Sequence, residues 1–447
     1  MKIASKSGVP TADDLIALVR ERGIRNVSLM HVGGDGWLKT LDFVPLSANH
    51  LRDILAGGER ADGSSLFSGT GIKTGASDIV LRPRIDTAFM DPFAPHPTLC
   101  VLCSHVGRDG EPLDESPDTI VQRAHRRVIN ETDSELWALG ECEYFLGRRA
   151  SEEDIYGADD RGYHATAPFV FGEGLRREAM AILGEMGVPV KYGHSEVGYV
   201  EATTGDDLIW EQHEIELALA PLPKAADAIV VTQWVLRNLA HQRGMRCRFA
   251  PMVREGHAGS GLHFHFSPVR DGQHLAGVLE DGSLPDEAKW LIGGLARMAG
   301  ALMAFGNTEA GSFDRLLQGK EAPTSVTWGR FNRDALIRLP IQAHDAEGNA
   351  VTPPTIEFRL PDGSAHPHLL LAAAAQAMLR GRSMELLDEL LDKTHVERAR
   401  DEPEATGSVP RSFEQVADAV EREREWLEAG GVFPPGLLDR LIDHLRG

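Results

Sequence analysis

The stretch "GSGLHFHFS" (259–267) carries two imidazoles two residues apart. Side chains of a strand alternate between its faces, so His263 and His265 share one face while Leu262, Phe264 and Phe266 share the other. Three more stretches repeat the pattern. "GECEYFL" pairs Glu141 with Glu143, "EQHEIELAL" pairs Glu214 with Glu216, and "TIEFRLPD" pairs Glu357 with Arg359. Together these strands predict a sheet with one face lined by Glu, His and Arg. Buried carboxylates are costly unless paired or metal-bound, and several together repel one another. Glu and His without Cys suit hard or borderline divalent ions, Mg²⁺ or Mn²⁺, rather than structural zinc.

Arginine is the second ingredient. Arg315, Arg330, Arg333 and Arg338 fall within "FDRLLQGKEAPTSVTWGRFNRDALIRLP". Guanidinium groups near metal-ligand carboxylates predict a polyphosphate substrate, because they clamp phosphate oxygens and stabilise charge on a transferring phosphoryl group. The chain has no P-loop pattern, and "GTGIKTG" (69–75) is too loose for a dinucleotide fingerprint. A nucleotide would therefore be held by metals and arginines.

The elements that must position these residues are legible in outline. Residues 12–22 have a helical apolar period, with Leu15, Ile16, Leu18 and Val19 on one side. "NVSLMHVGGDGWLKTLDFVP" reads as a hairpin around a Gly-rich turn, and "TLCVLCSHV" as a strand. "GRDGEPLDESP" (107–117) reads as a linker, and a helix carrying Ile120, Ala124 and Val128 follows. Long helices are expected near 174–186, 223–243, 285–305 and 368–390, with short strands between them. This order predicts an α/β or α+β protein whose sheet carries the site.

Composition narrows the class. The chain has 447 residues, 42% hydrophobic and 25% charged, enough for a large core and for two or three ordinary domains, or one small domain and one large one. Its net charge of −21 argues against nucleic acid and an acidic membrane surface as partners. The four cysteines make no disulfide scaffold, and Cys100 and Cys103, a CxxC with no second pair, read as core residues. Neither a signal peptide nor a membrane span is legible, so a soluble cytoplasmic protein is expected.

Taken in order, the motifs resemble those of the glutamine synthetase family across nearly the whole chain. "ADGSSL" followed by "SDIVLRP" is similar to the family's N-terminal β-grasp segment, and "GECEYFL" to its GxExEF strand. "HAGSGLHFHFS" is similar to NGSGxHxHxS, "EAPTSVTWGRFNRDALIRLP" to EAP…NRxxxxRxP, and "IEFRLPDGSAHPHLLLAAAAQAML" to ExRxPDxxxNPYLxxAAxLxA. "LEAGGVF" near the end also fits. The resemblance implies a β-grasp domain over 1–106 and a catalytic domain with a curved antiparallel sheet over 115–447. It implies a homo-oligomer, a dodecameric double ring with active sites between subunits. It further implies ATP as co-substrate, two or more Mg²⁺ or Mn²⁺ ions, and a reaction joining a small-molecule carboxylate to ammonia or an amine through an acyl phosphate.

Carried over by residue, one metal site would use Glu143, Glu196 and Glu214, and the other Glu141, His263 and Glu357. His265, Ser267, Arg333 and Arg338 would meet ATP, with Arg333 stabilising the transferring group. Arg315, Arg359 and Gly259 would bind the acid substrate, and Tyr163 would line the amine pocket. Asp62 of a neighbouring subunit would help deprotonate the ammonium, and Glu321 would close the site.

The chain departs from the pattern at several points. Ala258 replaces the Asn that meets the amino-acid end of glutamate, which leaves open a different carboxylate. An insertion separates Glu196 from Glu214, so Glu201 is an alternative ligand. His366 and His368 stand in HPHL where the family has NPYL. No Tyr follows Tyr199, so the adenylylation switch of some bacterial members is not expected. Two other readings stay open, a metal-dependent hydrolase and a non-catalytic relative.

Overall fold

The computed structural model describes residues 9–67, 77–151, 161–317, 324–401 and 407–447. The chain divides into two compact units, one of Met1–Ile120, Ala181–Val188 and Phe433–Arg440, the other of Val121–Met180, Pro189–Val432 and Leu441–Gly447. The glycine-rich stretch 69–75 and Glu321 lie outside the described residues.

The first stretch of chain runs α1 (Ala12–Glu21), β1 (Asn26–Val32), β2 (Leu38–Phe43), α2 (Ala48–Gly57), β3 (Glu59–Asp62), α3 (Gly63–Leu66), β4 (Asp78–Pro83), β5 (Phe89–Met90) and β6 (Thr98–Val106). Thr11 starts α1 with a capping box, its Oγ1 accepting from the Asp14 N–H while the Asp14 carboxylate accepts from the Thr11 N–H. The expected hairpin is present as the antiparallel β1–β2 pair. The sheet order is β2-β1-β6-β4-β3, with β5 on β6, and β1 runs parallel to β6. Leu15, Val27, Leu51, Leu55, Leu99 and Val101 form the core beneath it.

The chain continues through α4 (Pro117–Thr132), β7 (Glu135–Arg149), α5 (Glu173–Met186), β8 (Val190–Val200), β9 (Leu208–Leu217), β10 (Ala220–Pro221), α6 (Leu222–Gln242), β11 (Arg246–Arg248), β12 (Leu262–Arg270), β13 (Gln273–His274), α7 (Asp286–Gly306) and α8 (Gly311–Leu317). It ends with β14 (Trp328–Arg330), β15 (Ile337–Leu339), β16 (Ile356–Phe358), α9 (Pro367–Arg382), α10 (Leu387–Thr394), α11 (Val396–Asp401), α12 (Phe413–Arg422), α13 (Arg424–Glu428) and α14 (Pro435–Arg446). Strands β7 to β16 make one ten-stranded sheet with the path β14-β15-β16-β12-β7-β9-β8. All its pairs are antiparallel except β14–β15.

One expected helix differs. The helix over 368–390 is two, because α9 stops at Arg382 and α10 starts at Leu387. The sequence between them, "SMEL", has no Gly or Pro to announce the break. The alanine run of α9 is fully buried, and α9 packs closely on α7, where a Cβ on Gly294 would lie 1.8 Å from the Ala377 carbonyl oxygen. Only hydrogen fits there. Cys100 and Cys103 on β6 and Cys142 on β7 are buried and free, and burial pushes their thiols up, that of Cys103 to about 12.

Candidate active site

Antiparallel register lays the chemistry out in rows across the large sheet. In the first row, Arg338 on β15 pairs with Glu357 on β16, which pairs with His265 on β12. In the second, His263 on β12 pairs with Glu141 on β7, then Glu216 on β9, then Tyr192 on β8. In the third, Glu143 pairs with Glu214, which pairs with His194. The two-residue spacing in each strand turns all these side chains to one face. The intervening Leu262, Cys142, Phe264 and Ile215 are buried on the other.

Three groups bring a ligand atom from each member within 4.8 Å of the others: Glu141 with His263 and Glu357, His194 with Glu196 and Glu214, and Glu141 with Glu214 and Glu216. His263 Nδ1 lies 3.0 Å from Glu141 Oε2, and His265 Nε2 lies 2.9 Å from Glu141 Oε1. His194 Nε2 lies 3.4 Å from Glu214 Oε1 and its Nδ1 lies 3.8 Å from Glu196 Oε1. Glu143 stands between the groups: Oε2 accepts from the Gly261 N–H at 2.6 Å and from Gln212 Nε2 at 2.9 Å, and Oε1 is 3.9 Å from His263 Nδ1. A Cβ on Gly261 would lie 2.5 Å from His263 Nε2, so the glycine lets its N–H approach.

The electrostatics are those of a site built for cations. Burial, then the repulsion of Glu196, pushes the Glu143 carboxyl up to about 8. Burial and the charges of Glu141 and Glu143 push Glu214 up as well. Burial raises Glu216 against the pull of His265 and Lys191. Glu141 goes the other way: burial would raise it, but His265 and His263 outweigh that and hold it low. Oxygen and imidazole donors, with no thiolate among them, fit Mg²⁺ or Mn²⁺. Carboxylates that cannot all ionise unaided are what a divalent ion stabilises.

The arginines flank the first row. Arg338 Nε is 2.5 Å from Glu357 Oε2, and Arg359 Nη1 donates to Glu357 Oε1 at 3.2 Å. Arg315 is buried, with Nη2 3.4 Å from His263 Nε2 and Nη1 donating to the Leu360 carbonyl at 3.1 Å. The Gly259 carbonyl accepts from Gln212 Nε2 at 3.0 Å, and Ala258 is buried beside it.

Other expected residues lie differently. Ser267 is fully buried with its hydroxyl 3.0 Å from His274 Nδ1, so its partner is the β12–β13 pair. Arg333 sits on an exposed turn between β14 and β15. Glu201 is exposed beyond the end of β8 and belongs to none of the three groups, whereas Glu196 does. The insertion between Glu196 and Glu214 extends the β8–β9 hairpin, closed by the Thr203–Asp206 bridge. Tyr163 is half exposed, 5.5 Å from the His194 ring. Asp62, on β3, is exposed. It caps α3, accepting from the Ser64 N–H at 3.0 Å and from the hydroxyls of Ser64 and Ser65 at 2.8 and 2.7 Å. These hydrogen bonds, that of Ser65 foremost, hold its carboxyl far below the usual range.

The site also holds residues the motifs did not single out: His194, Gln212 and Lys191. Alternation, which placed Glu216 beside Glu214, could also have found His194, which precedes Glu196 by two residues. Lys191 Nζ lies 2.6 Å from Glu216 Oε1, a pairing made by the fold across β8 and β9.

Known proteins are similar to this chain in sequence and in fold. The family described as "Glutamine synthetase, catalytic domain" matches residues 114–444. A glutamine synthetase of Methylococcus capsulatus is 30% identical, over 98% of this chain and 95% of its own. A Plasmodium falciparum glutamine synthetase structure superposes with a TM-score of 0.80 at 19% identity, over 100% of this chain and 96% of its own. A GmaS/ADP complex does so with a TM-score of 0.78 at 21% identity, over 97% and 94%.

Proposed function

The chain belongs to the glutamine synthetase family, and from that premise we propose that it is an ATP-dependent ligase joining a carboxylate, glutamate first among candidates, to ammonia or an organic amine. One observation carries the reading: among the described residues, six carboxylates and three imidazoles share one face of the sheet, flanked by Arg315, Arg338 and Arg359.

A carboxylate is a poor electrophile. Its oxygen takes the γ-phosphoryl group of ATP as the bond to the β-phosphate oxygen breaks, giving an acyl phosphate and ADP. The amine nitrogen then attacks the acyl carbon, the C–O bond to phosphate breaks, and the amine proton passes to a carboxylate. Glu143, Glu196 and Glu214 would hold one divalent ion, and Glu141, His263 and Glu357 the other, with His194 beside the first. Such ions, when bound, neutralise phosphate charge. Arg333 and Arg338 would meet the phosphates together with His265, and Arg315 and Arg359 the acid substrate. GmaS, similar in fold, is known with ADP, which supports the nucleotide assignment.

Asp62, within a β-grasp domain at residues 1–106, would serve a neighbouring subunit of the double ring. Its hydrogen bonds keep it ionised, which suits a carboxylate that attracts an ammonium more than one that removes its proton. Glu321 would close the site. A second acid substrate is favoured at one point, because buried Ala258 offers no polar atom where the resemblance has Asn.

The test is phosphate release from Mg·ATP. Release that requires both glutamate and an amine supports the reading. ATP turnover that ignores every acid and amine would sink it.

A further inference from the structure

Four aromatic rings gather at the β8 edge of the site. Tyr192 and His194 project from one face of β8, with centroids 6.0 Å apart and planes 26° from parallel. Tyr163 and His164, on the loop before α5, stack at 4.3 Å and meet the His194 ring at 5.5 and 4.6 Å. Tyr163 and Tyr192 are 49% and 42% exposed, so the cluster is open on one side. His164 has φ +57°, a left-handed conformation that few non-glycine residues adopt. Its N–H is tied to the Ser195 carbonyl at 3.0 Å.

Glu216, the register partner of Tyr192, adds an anion. It is 1% exposed, and its Oε2 has no hydrogen-bond partner among the described residues. Its Oε1 takes Lys191 Nζ at 2.6 Å, and the same Nζ lies 5.1 Å from the Tyr192 ring centroid. A primary alkylammonium, the chain's own, therefore already rests between this carboxylate and this ring.

We propose that Tyr163, His164, Tyr192, His194 and Glu216 form the acceptor subsite for an organic primary amine, an alkylammonium ion rather than ammonia. The inference rests on the ligase reading and names its amine class. An ammonium with a carbon chain gains from ring faces and from a carboxylate oxygen that lacks a donor. Ammonia presents no carbon surface, so half-exposed rings add little to its binding. His194 links the subsite to the metal-capable group through Glu214, which brings the amine nitrogen to the acyl phosphate. Before attack the bound ammonium gives one proton to a carboxylate of the site. Its lone pair then forms the C–N bond, phosphate departs with the C–O pair, and a second N–H proton passes to the departing phosphate, leaving the neutral amide.

The experiment measures phosphate release with Mg·ATP and glutamate, using ammonia, ethanolamine, n-butylamine or 1,4-diaminobutane as acceptor. The best organic amine should exceed ammonia in kcat/KM by about tenfold or more. Tyr192→Ala and His164→Ala should raise the KM for that amine about tenfold, with the KM for ATP unchanged and kcat falling less. Tyr192→Phe, which keeps the ring, should restore the amine KM, and thermal melts report whether each variant is folded. Ammonia as the best acceptor overturns the subsite, as does Tyr192→Ala weakening ammonia and the organic amine alike. No ATP turnover with any acceptor, whether glutamate or another carboxylate is supplied, overturns the ligase reading and this inference with it.

Discussion

Glu211 and His213 point to one face of β9, Gln212, Glu214 and Glu216 to the other, and all five are buried. On the first face every charge has a protein partner. Arg176 Nη1 lies 2.7 Å from His213 Nδ1, and a guanidinium can only donate, so Nδ1 accepts and the neutral ring carries its proton on Nε2. Nε2 in turn donates to Glu211 Oε1 at 2.7 Å. Glu211 also accepts the N–H groups of Phe171, at 2.9 Å, and Gly172. This network anchors the loop before α5. On the second face carboxylates confront carboxylates, and Glu214 is pushed up by burial and by Glu141 and Glu143. Residue type and burial are alike on the two faces. What separates scaffold from site is whether the protein itself supplies the countercharge.

The comparison can be broken most sharply at Glu141, common to two ligand groups. Glu141→Ala should lower acceptor-dependent phosphate release on the order of 10³-fold with little loss of fold, seen by steady-state assay beside circular dichroism. Glu211→Ala should do the reverse. Breaking the buried network should cost about 3–5 kcal/mol of stability in urea titration, while Mn²⁺ affinity by calorimetry stays near that of the parent. A destabilised Glu141→Ala with intact turnover would reverse the two faces. Glu214→Gln, three residues from Glu211, should stabilise the metal-free protein, because burial and the neighbouring carboxylates already disfavour its charge, yet weaken Mn²⁺ binding.

pH sharpens the same contrast. Glu143 has its carboxyl raised to about 8, so the folded metal-free protein holds that proton more tightly than the unfolded chain does. Its contribution to stability is present below pH 4.5 and is lost as pH rises through about 8. Mg²⁺ should remove this loss, and its apparent affinity should rise over the same window, read from melts at several pH values. The smallest effect is expected at Glu201, where alanine should change turnover by less than about twofold, whereas Glu196→Ala should cut it severely. Equal effects would mean the hairpin extension carries the ligand.

Much of this was legible because strand alternation is a strict code. The pairs at 141/143, 214/216 and 263/265 share a face as their spacing predicts, and the rows follow once the strands are in register. Register itself was not legible. No pattern within "VKYGHSEVGYV" announces that Lys191 will meet Glu216, because that contact depends on a bulged β8–β9 pairing. Ser267 lies on the polar side of the alternation with His263 and His265, and its hydroxyl meets His274 of the next strand, a contact that spacing within β12 does not announce. The break between α9 and α10 escaped because "SMEL" holds no Gly or Pro to announce it.

The buried thiols give the molecule internal clocks. Cys100 and Cys103 sit in one unit and Cys142 in the other, each protonated and shielded by its sheet. An alkylating reagent reaches them only during a transient opening. The time course of their modification in native buffer therefore times the breathing of each unit separately, with no probe added to the chain.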